Sequence, residues 1–289
     1  MAKGRELKGR IKSVENTRKI TRKMEMVATS KMKRAQDRVV AARPYANALA
    51  DVISSLYSPD LAERFPLLRQ PVQQRRVALV VITSNRGLAG GFNANLIKEA
   101  RARLAELEGR GAQADVHVIG KKGAGYFRYV GRAMATQRID ITDKPTAENA
   151  ASIVDALMTD FAAERLDGVY VVHAKFVSAL STPPTTEQVL PVTPPAPREG
   201  GMQRDYIITP SAETILTELL PSYVRNAVYR ALVENEAGFQ SAQRTAMKNA
   251  TDNAGDILNA LRRTYNRARQ AQITQEIAEI VGGAAALQG

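Results

Sequence analysis

MKNATDNAGDILNALRRTYNRA, residues 247–268, decides the reading of this chain. Its apolar or small residues recur at Met247, Thr251, Ala254, Leu258, Leu261, Tyr265 and Ala268, in alternating steps of four and three. That alternation keeps one seam turned toward a neighbouring helix, the pattern of a coiled coil. The helical pattern extends outward to about Ser211 and Leu287, which predicts one very long helix. At ~1.5 Å per residue it would run roughly 110 Å, more than one small core can cover. It needs a partner.

The other end of the chain supplies one. Ala35, Val39, Ala42, Ala46, Leu49, Ile53 and Leu56 repeat the same steps, and Leu7, Ile11 and Val14 carry the seam backwards. Matching seams at the two ends predict an antiparallel helix pair. The final helix outruns the first by roughly twenty residues. The unpaired part is expected from about Ala268, where the seam shifts to Ile273, Ile277 and Ile280. Pro44 is expected to kink or break the first helix, and Pro221 to bend the last one early.

Between these ends the period changes. Residues 58–74 hold three prolines and read as a linker. VALVVITS (77–84) is a continuous apolar run, as a strand covered on both faces would be. Helices are expected at 93–108, 121–130 and 145–165, and strands at 114–119, 168–177, 186–192 and 204–209. TPPAPREGG (193–201) reads as a loop. The fold class is therefore α/β: a long antiparallel coiled coil of the two end helices, plus a Rossmann-like domain with a mostly parallel sheet. The expected divisions are 1–57, 75–209 and 210–289.

Composition narrows the function. Of 289 residues 44% are hydrophobic and 24% charged, so the chain can build a core. Without cysteine there is no disulfide or thiolate chemistry. Apolar runs such as Val77–Ile82 and Ile280–Leu287 are far short of the ~20 residues a bilayer span needs. The basic start lacks the apolar segment of a secretory signal, so none is expected. Net charge is +12, and residues 1–38 hold thirteen Lys or Arg against four acids. Such a face is either simply solvated or docks something acidic.

No catalytic grouping can be argued. TSNRGLAGGFNAN (83–95) sits where a doubly wound sheet binds phosphate, yet it matches neither GxGxxG nor a P-loop. Its glycines read as backbone geometry. His117 and His173 lie among valines in expected strands and read as packing residues. Asp155 and Glu164 have basic neighbours and no acid–base partner in sequence. No metal or cofactor is expected.

The stretches NTRKITRKMEMVATSKMKRAQDR (16–38), ARPYA (42–46), TSNRGLAGGFN (83–93), MKNATDNAGDIL (247–258) and ARQAQITQEIAEIVGGAA (268–285) together resemble the gamma subunit of F-type ATP synthase. The resemblance covers the whole chain in order. Ile273, Thr274, Glu276, Glu279, Gly283, Ala284 and Ala286 stand at the spaced positions of the family signature. The chain departs from the family at Asn85, often acidic there, at Ala89, often Cys, and at Lys23, where many members have Ala.

The resemblance implies a non-catalytic rotor that couples proton flow to ATP synthesis or hydrolysis. Its partners would be the alpha and beta subunits, the epsilon subunit and the ring of c subunits, with membrane association only through the complex. It would lie on the cytoplasmic face of a bacterial inner membrane. It implies contact with the alpha/beta ring at Met24, Arg269, Gln270, Thr274 and Glu276. Lys31, Lys33, Arg34 and Ile277 extend that surface. Arg204, Asp205 and Tyr206 would rest on epsilon and the c ring. Two readings compete. The first, a basic coiled-coil nucleic-acid-binding protein, is permitted by a pI near 10.0 but lacks interleaved aromatics on the basic helix. The second is a nucleotide-using Rossmann-type enzyme.

Overall fold

The computed structural model describes residues 2–57, 64–193 and 211–286. The chain divides into two compact units, residues 1–29 with 243–289, and residues 30–242. Helix α1, Ala2–Leu56, and the last helix, α5, Ala212–Ala286, each contribute to both.

In the larger unit the elements after α1 are β1 (Arg76–Ile82), α2 (Phe92–Gly109), β2 (Gln113–Ile119), α3 (Lys121–Tyr129), β3 (Thr136–Arg138), α4 (Ala147–Ala162), β4 (Gly168–Ala174) and β5 (Pro184–Leu190). The strand order is β3-β2-β1-β4-β5. All pairs are parallel except β4 with β5. The sheet is mostly parallel, as its apolar first strand predicts.

β1 is continuously apolar because both its faces are covered. Ala78, Val80 and Ile82 face one core with Val154, Leu157 and Phe161 of α4, Leu49, Ile53 and Leu56 of α1, and Leu216, Leu220 and Val224 of α5. Val77, Leu79 and Val81 face the other, with Leu96, Leu104 and Leu107 of α2 and Phe127 of α3. Thr146 caps α4 by accepting from Asn149 N, and Asn149 Oδ1 accepts from Thr146 N in return.

The seam of residues 35–56 has a different partner from the one the repeat suggests. It packs within the larger unit, Ala35 and Val39 against Val233 and Ala237, not against residues 247–268. In the smaller unit the partners of 247–268 are residues 7–28 of α1. Leu7, Thr21 and Ala28 are buried there, as are Met247, Thr251, Ala254 and Leu258. The Thr21 and Thr251 hydroxyls lie 2.8 Å apart, one donating to the other. Arg262 pairs with Glu15 at 2.5 Å, so numbering falls along one helix as it rises along the other. The pairing is antiparallel.

Both prolines stay inside continuous helices, so Pro44 does not break α1. An interior proline costs a helix about 3 kcal/mol, through the lost hydrogen bond and the clash of its ring with the preceding turn. Here it is offset by packing on either side, at Val39 and Leu49 for α1 and at Leu220 and Val224 for α5. The expected linker is also anchored beyond residue 64. Leu68 is buried, Leu67 O accepts from Val192 N, and the Arg69 guanidinium lies over the Phe161 ring at 4.9 Å. The expected strand 204–209 lies outside the described residues.

Candidate interaction surfaces

Helix α5 has 75 residues and α1 has 55, and the far end of α5 lies in the smaller unit. Burial along α5 fades after Leu258 and ends at Ala268, apart from partial cover of Gln272. Arg269, Gln270, Thr274, Glu276 and Ile277 are all exposed. Their polar groups are tied mainly within the helix: Thr274 Oγ1 donates to Gln270 O at 3.0 Å, and Gln272 Nε2 to Glu276 Oε1 at 2.9 Å. Between them runs an apolar stripe, with Ile273 47%, Ile277 56%, Ile280 71% and Val281 62% exposed. Met24, on α1, is half-buried. An exposed apolar stripe on a long helix is a surface of the kind against which other proteins pack.

The basic residues of the larger unit are less free than their sequence suggests. Lys31 Nζ sits 2.6 Å from Asp143 Oδ2, and that hydrogen bond holds the Asp143 carboxyl below the usual carboxylate range. Lys33 pairs with Asp37 at 3.0 Å, and Arg34 donates to Ser30 O and Oγ. Lys33 and Arg34 remain exposed, whereas Lys31 is half-buried. Nothing local in the sequence signals Asp143, which lies 112 residues from Lys31. Arg204, Asp205 and Tyr206 lie outside the described residues.

The glycine-rich turn is occupied by its own side chains. The turn leads into α2, and its polar groups also tie down N–H groups at the start of α3. At the start of α3, Lys121 N donates to Asn85 Oδ1, Lys122 N to Ser84 O and Gly123 N to Thr83 Oγ1. Asn93 Oδ1 likewise accepts from Ser84 N. Asn85 also donates to Ile139 O and Ile141 O, so it stitches three segments together.

Both histidines are held by structure. Burial pushes His117 down, against the pull of Asp115, and its Nδ1 lies 2.9 Å from Thr136 Oγ1. His173 is 1% exposed, with Nε2 3.8 Å from Glu234. Burial alone would raise the Glu234 carboxyl. The adjacent His173 ring, a hydrogen bond from the Phe176 N–H and the Arg230 charge hold it below its usual range. With Asn235 accepting from Ala174 N, these contacts fasten α5 to the end of β4. Among the described residues no group of three His, Cys, Asp or Glu could hold a metal, and no helix is long and apolar enough to cross a membrane.

A family model described as ATP synthase matches residues 3–287. The ATP synthase gamma chain of Gemmatimonas aurantiaca is 71% identical over 290 residues, covering 100% of both chains. That of Psychrobacter arcticus is 43% identical, covering 99% of this chain and 100% of its own. A chain in the central stalk and c-ring structure of the Tetrahymena thermophila mitochondrial ATP synthase is also similar. It has 26% identity and a TM-score of 0.61, over 80% of this chain and 99% of that one. Nothing in these matches supports the nucleic-acid reading. Matched from end to end at such identity, the chain belongs to the ATP synthase gamma chain family.

Proposed function

We propose that the chain is the turning central shaft of a bacterial, proton-translocating ATP synthase, a membrane-associated complex. The observation that carries this reading is the stripe of Ile273, Ile277 and Ile280, exposed where α5 outruns its partner helix. Enclosed by the alpha and beta subunits, an apolar end can turn with few directional bonds to break. Each orientation then presents a different face to each beta subunit. That shifts the open–closed equilibrium of its nucleotide site, so the coupling is conformational and the chain performs no chemistry itself. Arg269, Gln270, Thr274 and Glu276 are the polar groups offered to the ring at this end, with Met24 on α1.

Arg204, Asp205 and Tyr206 are proposed to rest on the epsilon subunit and the c ring, on the cytoplasmic side of the inner membrane. Lys33 and Arg34, both exposed, are proposed to meet acidic segments of the beta subunits. A single exposed charge pair is worth about 0–1 kcal/mol, so the effect should be collective. Replacing Lys31, Lys33 and Arg34 together with Ala is expected to impair coupled ATP synthesis more than any single change. Lys31→Ala alone should mainly release Asp143, and a Lys33→Ala, Arg34→Ala double variant isolates the docking charge. Undiminished ATP synthesis by both multiple variants would contradict the docking role.

The reading is tested by reconstitution. The purified chain should hydrolyse no ATP, and should confer coupled activity when added to alpha and beta subunits. Appreciable turnover by the chain alone would overturn it.

A further inference from the structure

The smaller unit buries two hydroxyls in the seam between its helices. Thr21 of α1 and Thr251 of α5 are 9% and 8% exposed, and their Oγ1 atoms lie 2.8 Å apart. Each also has a carbonyl of its own helix within reach. Arg18 O is 3.1 Å from Thr21 Oγ1, and Met247 O is 2.8 Å from Thr251 Oγ1. A hydroxyl has one proton to donate and two lone pairs with which to accept. Two arrangements therefore satisfy the pair. Thr251 donates to Thr21 while Thr21 donates to Arg18 O, or Thr21 donates to Thr251 while Thr251 donates to Met247 O. The bond between the helices is present in both.

The rest of the seam marks axial position weakly. Ala28 and Ala254 are buried there, and a methyl is a small knob with little shape to resist sliding. Arg262 and Glu15 pair at the exposed margin through long side chains that can follow a shift. The Arg18 guanidinium lies beside Gly255, where a Cβ would stand 3.7 Å from Arg18 Cζ, so the helices also approach closely one turn from the hydroxyls. A single buried polar contact is a means by which coiled coils fix register.

We propose that Thr21 and Thr251 pin the axial register of α1 against α5, and so set how far the stripe of Ile273, Ile277 and Ile280 stands beyond the paired section. A slip of one turn moves that stripe by about 5.4 Å and parts the hydroxyls beyond contact. Each hydroxyl then keeps its own carbonyl but loses the bond across the seam. The pair therefore favours one register without being needed for either helix to form.

The chain has no cysteine, so cysteine pairs can be introduced cleanly. The Glu25 charge acts on Lys248 across the seam, which makes Glu25→Cys with Lys248→Cys the in-register pair. Thr29→Cys with Lys248→Cys is one turn out. In the full chain under mild oxidation the first pair should close to a disulfide faster. Replacing Thr21 and Thr251 together with Val, which keeps their shape, should cut the ratio of the two rates roughly fivefold, the worth of one buried hydrogen bond. Replacing both with Ser keeps the hydroxyls and should leave the ratio near the parent's. If the double Val variant does not fold, Thr21→Val alone is read in the same way. An unchanged ratio in the Val variant would overturn the proposal. An equal fall in the Ser variant would also overturn it, by assigning the effect to packing.

Discussion

Replacing Ile277 with Asp should leave the isolated chain folded and strip most ATP-driven proton pumping from membrane vesicles that carry it. Ile277 is 56% exposed, so the fold does not depend on it, and a surface change of this kind usually stays within about 0.5 kcal/mol. In the proposed enclosure the outcome differs. A carboxylate placed in a dry apolar collar loses hydration, and no fixed partner can follow it through a turn. Even ~3 kcal/mol of that penalty would weaken engagement more than a hundredfold. Truncation after Ile280 should be milder, because it removes apolar contact without burying a charge. Pumping by Ile277→Asp equal to that of the parent would show that this end is not enclosed.

Gly120→Ala should destabilise the α/β unit by roughly 3 kcal/mol or more, read by urea unfolding of the full chain. Gly120 has φ +98°, and a Cβ there would stand 2.3 Å from Thr83 O. Relief requires parting the end of β1 from the start of α3. Thr83 N and Oγ1 both donate to Ile119 O, at 2.8 and 2.9 Å, and Gly123 N donates to Thr83 Oγ1. The control is Gly125→Ala, five residues on. Gly125 lies on the exposed side of α3 with nothing near its added methyl, so the change should stabilise by up to about 1 kcal/mol. If both variants unfolded like the parent, the close approach at Gly120 would be wrong.

The long helices and the parallel strands were legible because periodicity survives wherever one stripe or both faces must be buried. β1 announced itself through uninterrupted Val, Leu and Ile. The heptad seam of α1 was harder to follow. Between Val14 and Ala35 its positions are held by Arg18, Thr21, Glu25, Ala28 and Met32. Small and polar residues there conceal a seam on which Thr21 and Ala28 are nonetheless buried. Which seam meets which also escaped the repeat, since a period fixes a face and not a partner. β3 is TQR, too short and too polar to show alternation.

The exposed apolar stripe at the end of α5 was readable from its isoleucines. The junction of Lys31, Asp143 and Glu236 was not. It joins residues far apart in sequence, on three elements whose approach only the fold decides.

The most direct measurement of the central claim uses the absence of cysteine from the chain. Tyr129 is 89% exposed at the end of α3, so Tyr129→Cys gives this chain a single labelling site. With the alpha/beta ring of the assembled complex fixed to a surface, a particle attached at that thiol is followed under a microscope as ATP is added. The rotor reading predicts sustained turning in one direction that stops when ATP is removed. ATP hydrolysis by an intact complex whose particle does not turn would contradict it.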